Sequence, residues 1–194
     1  MGCLVMPINA TAVFAPNQYG VTGLVRFTQE GNLLDINYNI VGLSDGEHGF
    51  HIHEYGDLTD GCESACSHFN PYNKNHGGLD SKERHLGDLG NITSSEGVAK
   101  GKITTNSISL IAGRIDCIVG RMIIVHQDRD DLGLGGNEES LKTGNAGKRV
   151  ACGVIGLAES PNSSDGKKLS NNVSYVGLGA IVGAIVGFVL NREL

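Results

Sequence analysis

The chain has 194 residues, a formal net charge of −6, and 19% charged against 40% apolar residues, enough for one domain plus an appendage. Its acidic balance, the lack of Trp and the 5% aromatic content exclude a phosphate-gripping surface and base-stacking platforms, so nucleic acid is not an expected partner. Glycine, at 29 residues, is about twice as frequent as usual and signals many turns rather than long helices.

The N-terminal stretch MGCLVMPINA lacks the basic start and long apolar run of a secretory signal. Gly2-Cys3 fails the acylation motif, because Met6 stands where Ser or Thr is required. Without a secretory signal, the Asn-x-Ser/Thr sequons at Asn9, Asn91, Asn162 and Asn172 are expected to stay unmodified. The five cysteines, Cys3, Cys62, Cys66, Cys117 and Cys152, are then expected to be mostly free thiols.

Residues 12–43 alternate. VTGLVRFTQ is a predicted strand, QEGN a hairpin turn, and LLDINYNI a half-buried strand with Leu34, Ile36, Tyr38 and Ile40 on one face. Further strands are expected at 46–53, 97–104, 106–112, 115–126 and 149–158. Two stretches are too long and irregular for ordinary connections: 54–96 and 127–148. The pattern is a β-scaffold carrying two long, functional loops. Residues 160–172, SPNSSDGKKLSNN, are a polar linker, and VSYVGLGAIVGAIVGFVL, 173–190, follows.

The seven histidines are not scattered. His51 and His53 sit two apart on a predicted strand, so both imidazoles face the same way. His126 ends another apolar strand. Imidazole suits copper and zinc, and an all-nitrogen tetragonal set suits Cu(II). His68, His76, His85 and Asp88 share the first long loop, and three His with one carboxylate can close a tetrahedral zinc site that orders a loop with little core.

Taken together, GFHIHEYGD, GCESACSHFNP, HGG, ERHLGDLGN, IVH, DDLG, GGNEES, KTGNAGKR and ACGVIG resemble the copper–zinc superoxide dismutase family, from about Ala12 to Ala158. The resemblance implies an all-β fold: a Greek-key β-barrel or flattened sandwich of about eight antiparallel strands with two long functional loops, spanning residues 1–159. It implies one copper, bound by His51, His53, His68 and His126, and one zinc, bound by His68, His76, His85 and Asp88, with His68 as the bridge. His48 and Asp130 would support the metal ligands by hydrogen bonding. Arg149 would hold superoxide beside the copper, with Arg149 and His68 as the catalytic pair. Glu138, Glu139, Lys142 and Thr143 would guide the anion, and Cys62 and Cys152 would form a disulfide. Cys66, two residues before His68, departs from the family pattern and is expected to be an inert small residue. The implied activity is dismutation of superoxide to O₂ and H₂O₂; the alternative is a non-enzymatic copper-binding or copper-delivery relative. A homodimer and a copper chaperone are the implied protein partners.

The family offers nothing for the tail. Its 18 uncharged residues would make ~27 Å of helix, just enough to span a membrane, followed only by Asn191, Arg192, Glu193 and Leu194. Glycines 179, 183 and 187 form two overlapping G-x-x-x-G steps that suit close helix approach. Residues 173–190 are thus a candidate C-terminal transmembrane helix anchoring a cytoplasmic enzyme domain, with Lys167 and Lys168 on the cytosolic side. A glycine-softened tail that stays disordered or caps the barrel is the alternative.

Overall fold

A computed structural model describes residues 6–159 of the chain. Gly2-Cys3, the linker 160–172 and the apolar segment 173–190 lie outside these residues. Among the described residues no helix is long and apolar enough to cross a membrane.

The described residues form nine strands: β1 (Ile8–Phe14), β2 (Thr22–Glu30), β3 (Leu33–Val41), β4 (Gly46–His53), β5 (Asp88–Ser94), β6 (Val98–Thr105), β7 (Met122–His126), β8 (Arg149–Val154) and β9 (Gly156–Ala158). They make two antiparallel sheets, β6-β3-β2-β1-β9 and β5-β4-β7-β8. The only α-helix among them is one turn, α1 (Ser140–Thr143). The chain crosses between sheets after β3, β5, β6 and β8, which gives the flattened Greek-key barrel that the resemblance implies.

Alternation decides which side chains fill the barrel. Leu34, Ile36 and Ile40 of β3, Val25 and Phe27 of β2, and Ala10, Ala12 and Phe14 of β1 are all buried in one core. The strands β4 and β7 differ, because they are buried on both faces. Phe50, Ile52, Ile123 and Val125 point into the main core. His51 and His53 alternate with them, and Met122 and Ile124 join Ala65 in a second apolar cluster. The outer face of the four-stranded sheet is therefore roofed by the long loops rather than by water.

Three expected strands come out differently. Residues 106–112 are not a strand, although Ile108 and Leu110 are buried as alternation requires. Their backbone groups find other partners: Gln29 Oε1 accepts Leu110 N–H at 2.6 Å, and Ser109 bridges to Cys117 in a folded-back loop. Of 115–126 only Met122–His126 is strand, since Gly120 turns the chain at φ +83°. The expected strand 149–158 breaks at Ile155, whose N–H donates to Arg121 O while its own carbonyl accepts Gly120 N–H. Beyond that break β9 leaves the four-stranded sheet and pairs with β1. Two strands were not expected: β1, of which only the alternation from residue 12 gave a hint, and β5, which lies inside 54–96, masked by Gly90 at φ +79° and by the polar sequence DLGNITS. Strand β1 also starts at Ile8, before the alternation noted from residue 12.

Candidate metal centre

Strand β4 puts the side chains of His51 and His53 on the loop side of the sheet, and β7 ends with His126 beside them. His68, His76 and His85 come down from the first long loop, and Asp88 opens β5. His51, His53, His68, His76, His85, Asp88 and His126 are all buried. Their donor atoms fall into two four-membered groups, His51-His53-His68-His126 and His68-His76-His85-Asp88, each within 4.8 Å, with His68 in both.

Hydrogen bonds fix which nitrogen of each ring carries the proton. A carbonyl can only accept, so His53 Nδ1–H donates to Cys66 O (2.8 Å) and His126 Nδ1–H donates to Gly147 O (3.1 Å). Their Nε2 lone pairs then face each other at 3.3 Å. Asp130 accepts from His51 Nε2 and from His76 Nε2, both at 2.8 Å, which leaves His51 Nδ1 and His76 Nδ1 pointing inward. His48 sits to the side, buried, with Nδ1 2.9 Å from His126 O and Nε2 2.9 Å from Ser44 O.

On the other flank the Nδ1 atoms of His68, His76 and His85 lie 2.8, 3.1 and 3.2 Å from one oxygen, Asp88 Oδ1. One oxygen cannot serve three ring nitrogens well. His76 Nδ1, although close, has no aligned hydrogen bond, and neither has His51 Nδ1 or His68 Nε2. Buried ring nitrogens without partners are costly unless something else satisfies them. A cation at the centre of each group would satisfy all of them, so the residues present fit two metal ions.

The charges agree. Burial pushes His51 down to about 4 and His68 and His126 to about 3, and it holds His53 well below 6.5, so these rings keep free lone pairs at neutral pH. His76 differs: burial opposes its protonation, but the hydrogen bond to Asp130 and the Asp88 carboxylate 3.1 Å from its Nδ1 raise it to about 9, so this ring would release a proton on binding an ion. Burial works against charge on Asp88, yet hydrogen bonds from His68 and His85 and the close approach of His76 hold it far below the ordinary carboxylate range. Asp130 is held down in the same way by His51 and His76. Gly144, at φ +67°, leaves room for that contact: a methyl group there would land on Asp130 Oδ1.

A cavity of about 780 Å³ opens onto His53, His68, His85 and His126, and its wall includes Arg149 and Lys142. The sequence model of the family described as copper/zinc superoxide dismutase (SODC) matches residues 21–155. The chain belongs to that family. It is 55% identical over 155 residues to a superoxide dismutase (Cu-Zn) of Paramecium bursaria Chlorella virus 1, covering 79% of this chain and 80% of the relative. It is 56% identical over 138 residues to superoxide dismutase (Cu-Zn) A of Xenopus laevis, covering 71% and 90%. It is 56% identical over 154 residues to superoxide dismutase (Cu-Zn) of Candida glabrata, covering 77% and 98%.

In this superoxide dismutase fold Cys62 and Cys152 are disulfide-bonded across a sequence separation of 90 residues. The bridge fixes the turn 62–66 to β8, where Arg149 pairs with His126 across a register shift. Arg149 in turn donates to Cys62 O (2.7 Å), Glu63 O (3.1 Å) and Cys66 O (2.5 Å). Its guanidinium is thereby held at the cavity wall. Glu139, Lys142 and Thr143 also line the cavity, whereas Glu138 is not part of the wall and pairs with Lys142 at 2.6 Å. Cys66 is an exposed free thiol at φ +65°, and its carbonyl serves both His53 and Arg149. Sequence reasoning passed over Lys74, Asn70 and Asn145, which line the same cavity. It also passed over the carbonyls of Cys66 and Gly147, because a carbonyl's role leaves no residue-type signature.

Proposed function

We propose that this chain is an enzyme that dismutates superoxide, converting two superoxide anions and two protons to O₂ and H₂O₂. The observation that carries the reading is a pair of buried donor groups sharing His68, beneath a cavity lined by His53, His68, His85 and His126 and by the Arg149 cation. In this reading His51, His53, His68 and His126 hold copper, and His68, His76, His85 and Asp88 hold zinc. Bound copper would supply one-electron chemistry, and zinc, which has none, a fixed charge that organises and polarises. The chain's own residues do the rest. Arg149, pinned by three carbonyls, presents its guanidinium to the incoming anion and can donate hydrogen bonds to it. His68 Nε2, otherwise without a partner, can take a proton in one half-reaction and return it to the forming peroxide in the other. Asp130 keeps His51 and His76 in one tautomer and orientation, and His48 braces the His126 backbone. Superoxide dismutase is itself an established case of electrostatic steering into a cleft.

The test is superoxide turnover by the copper- and zinc-loaded protein, beside an Arg149→Ala variant of equal metal content. Wild-type turnover with kcat/KM in the variant reduced about tenfold or more at low salt supports the reading. Copper binding without turnover would instead favour a copper-delivery relative.

A homodimer is part of the same reading, supported by exposed apolar side chains such as Tyr55, Leu58 and Leu157 and tested by sedimentation. A copper chaperone is proposed as the metal donor. We assign the enzyme domain to the cytosol and segment 173–190 to a membrane tether, on its length and lack of charge. The full chain should then pellet with membranes and resist carbonate extraction; recovery in the supernatant overturns the tether.

A further inference from the structure

Asp130 belongs to neither four-membered donor group, yet it is hydrogen-bonded to both, through His51 and His76. It lies in the second long loop, outside any strand, so its main chain needs support from elsewhere. That support comes from β5. Asn91 Oδ1 accepts Asp130 N–H and Asn91 Nδ2 donates to Asp130 O, both at 2.8 Å. One side-chain amide thus serves both main-chain groups of a single residue, as a neighbouring strand would. No other side chain among the described residues bonds to the Asp130 main chain. The strands are shaped for this contact. Asp88 and Asn91 are an odd number of residues apart and would face opposite ways in a regular strand. Gly90, at φ +79°, and the register shift between Gly49 and His51 bring both to the site. Gly49, the cross-strand partner of Asn91, leaves room for the loop: a methyl group there would lie 2.7 Å from Ala146 Cβ and 3.0 Å from His51 Cε1. Gly49 N–H also donates to Asp128 O at 2.9 Å.

We propose, on the copper and zinc reading of the two groups, that Asn91 is a positioning residue of the metal centre. By clamping the Asp130 main chain to β5 it aims His51 and His76 together, and so couples the two donor groups. A carboxylate can orient a ligand ring only as firmly as its own backbone is held. Asn91 makes no hydrogen bond to either ring, so it acts through Asp130 alone. The role demands an amide, because the side chain must donate and accept at once. Asn91→Asp keeps the size and the acceptor, but it sets a carboxylate oxygen against Asp130 O and leaves that carbonyl without its donor.

The test compares wild type, Asn91→Ala and Asn91→Asp, each loaded with zinc and with copper in its reduced state. Proton NMR follows the exchange of the ring N–H groups with water. In both variants His51 and His76 Nε2–H, which Asp130 accepts, should exchange faster than in wild type. His53 and His126 Nδ1–H, which the Cys66 and Gly147 carbonyls accept, should keep their wild-type rates. Zinc release into a chelator should speed up about tenfold, the low end of what losing a ligand's hydrogen-bond support costs. Asn91→Asp preserves the packing, so the test survives if Asn91→Ala does not fold. Equal acceleration at all four rings would show a general loosening of the fold and overturn the proposal. Unchanged ring exchange or unchanged zinc release would overturn it too. A wild type that takes up neither metal would overturn the underlying reading, which separates the two failures.

Discussion

On the His76–His85–Asp88 flank, three imidazole nitrogens crowd one carboxylate oxygen, and only His85 and the shared His68 line the cavity, while His76 and Asp88 lie behind them. On the His53–His126 flank, His53, His68 and His126 all line the same cavity of about 780 Å³, and only His51 does not. The two sets have nearly the same ligand chemistry, four donors each, and share one residue. What separates them is the degree of access: three of one set line the cavity against two of the other. A closed set can only hold its ion and order the loop that supplies it, while an open set can admit a reactant. The lesson is that the same residue type serves structure or reaction according to what the surrounding backbone leaves open.

The largest effect should come from breaking the closed side. Asp88→Ala removes the oxygen on which three rings converge, so zinc stoichiometry should collapse. Stability should fall by more than the ~3–5 kcal/mol of a broken buried pair, since the ion's contribution goes with it. Metal analysis with calorimetry checks this, and His126→Ala should lose copper while retaining zinc and most of the stability. Equal losses in the two variants would erase the distinction between the flanks.

Next in size is the bridge between the scaffold and the open side. Cys152→Ser opens a loop of 90 residues, which in the chain-entropy model costs ~4–5 kcal/mol. Because the turn 62–66 also positions Arg149, the variant should lose kcat/KM even at temperatures where it stays folded. A stability loss with unchanged kcat/KM would show that the carbonyls hold Arg149 unaided.

The flanks should also answer pH with opposite sign once a chelator has stripped the protein. His51, His68 and His126 have folded values near 3–4, below 6.5, so between about pH 4 and 6.5 the unfolded chain binds more protons. Stability from these groups is present above pH 6.5 and is lost on acidification, up to ~1.4 kcal/mol per pH unit for each group. His76, raised to about 9, contributes stability below pH 6.5 that is lost as pH rises through 9. Thermal melts from pH 4 to 10 should therefore peak near neutrality, and a monotonic profile would contradict the assignment. The smallest effect should be at the rim: Lys142→Ala, which removes an exposed i,i+4 pair, should leave the melting temperature unchanged within error.

Much of this was legible before any coordinates. Period-2 alternation placed β2, β3, β4 and β6 to within a residue or so, because each has one face against the barrel core. The same logic put His51 and His53 on one face. It failed at 106–112, where Gln29 supplies a hydrogen bond that a neighbouring strand would normally supply. It failed again at β5, whose pairing with β4 is long-range and whose sequence is polar because its outer face helps build the site.

The sequence by itself determined the family, and through that resemblance the expected donor residues, since side-chain chemistry and motif order are written residue by residue. Only the tertiary structure decided which ring nitrogen of each histidine faces inward, because that depends on the carbonyls of Cys66 and Gly147 and on Asp130 arriving from other segments. It alone also decided what each lysine of the cavity wall is bound to. Lys74 and Lys142 are the same residue type in two loops, and only folding gave one of them a carboxylate partner and the other a neutral carbonyl.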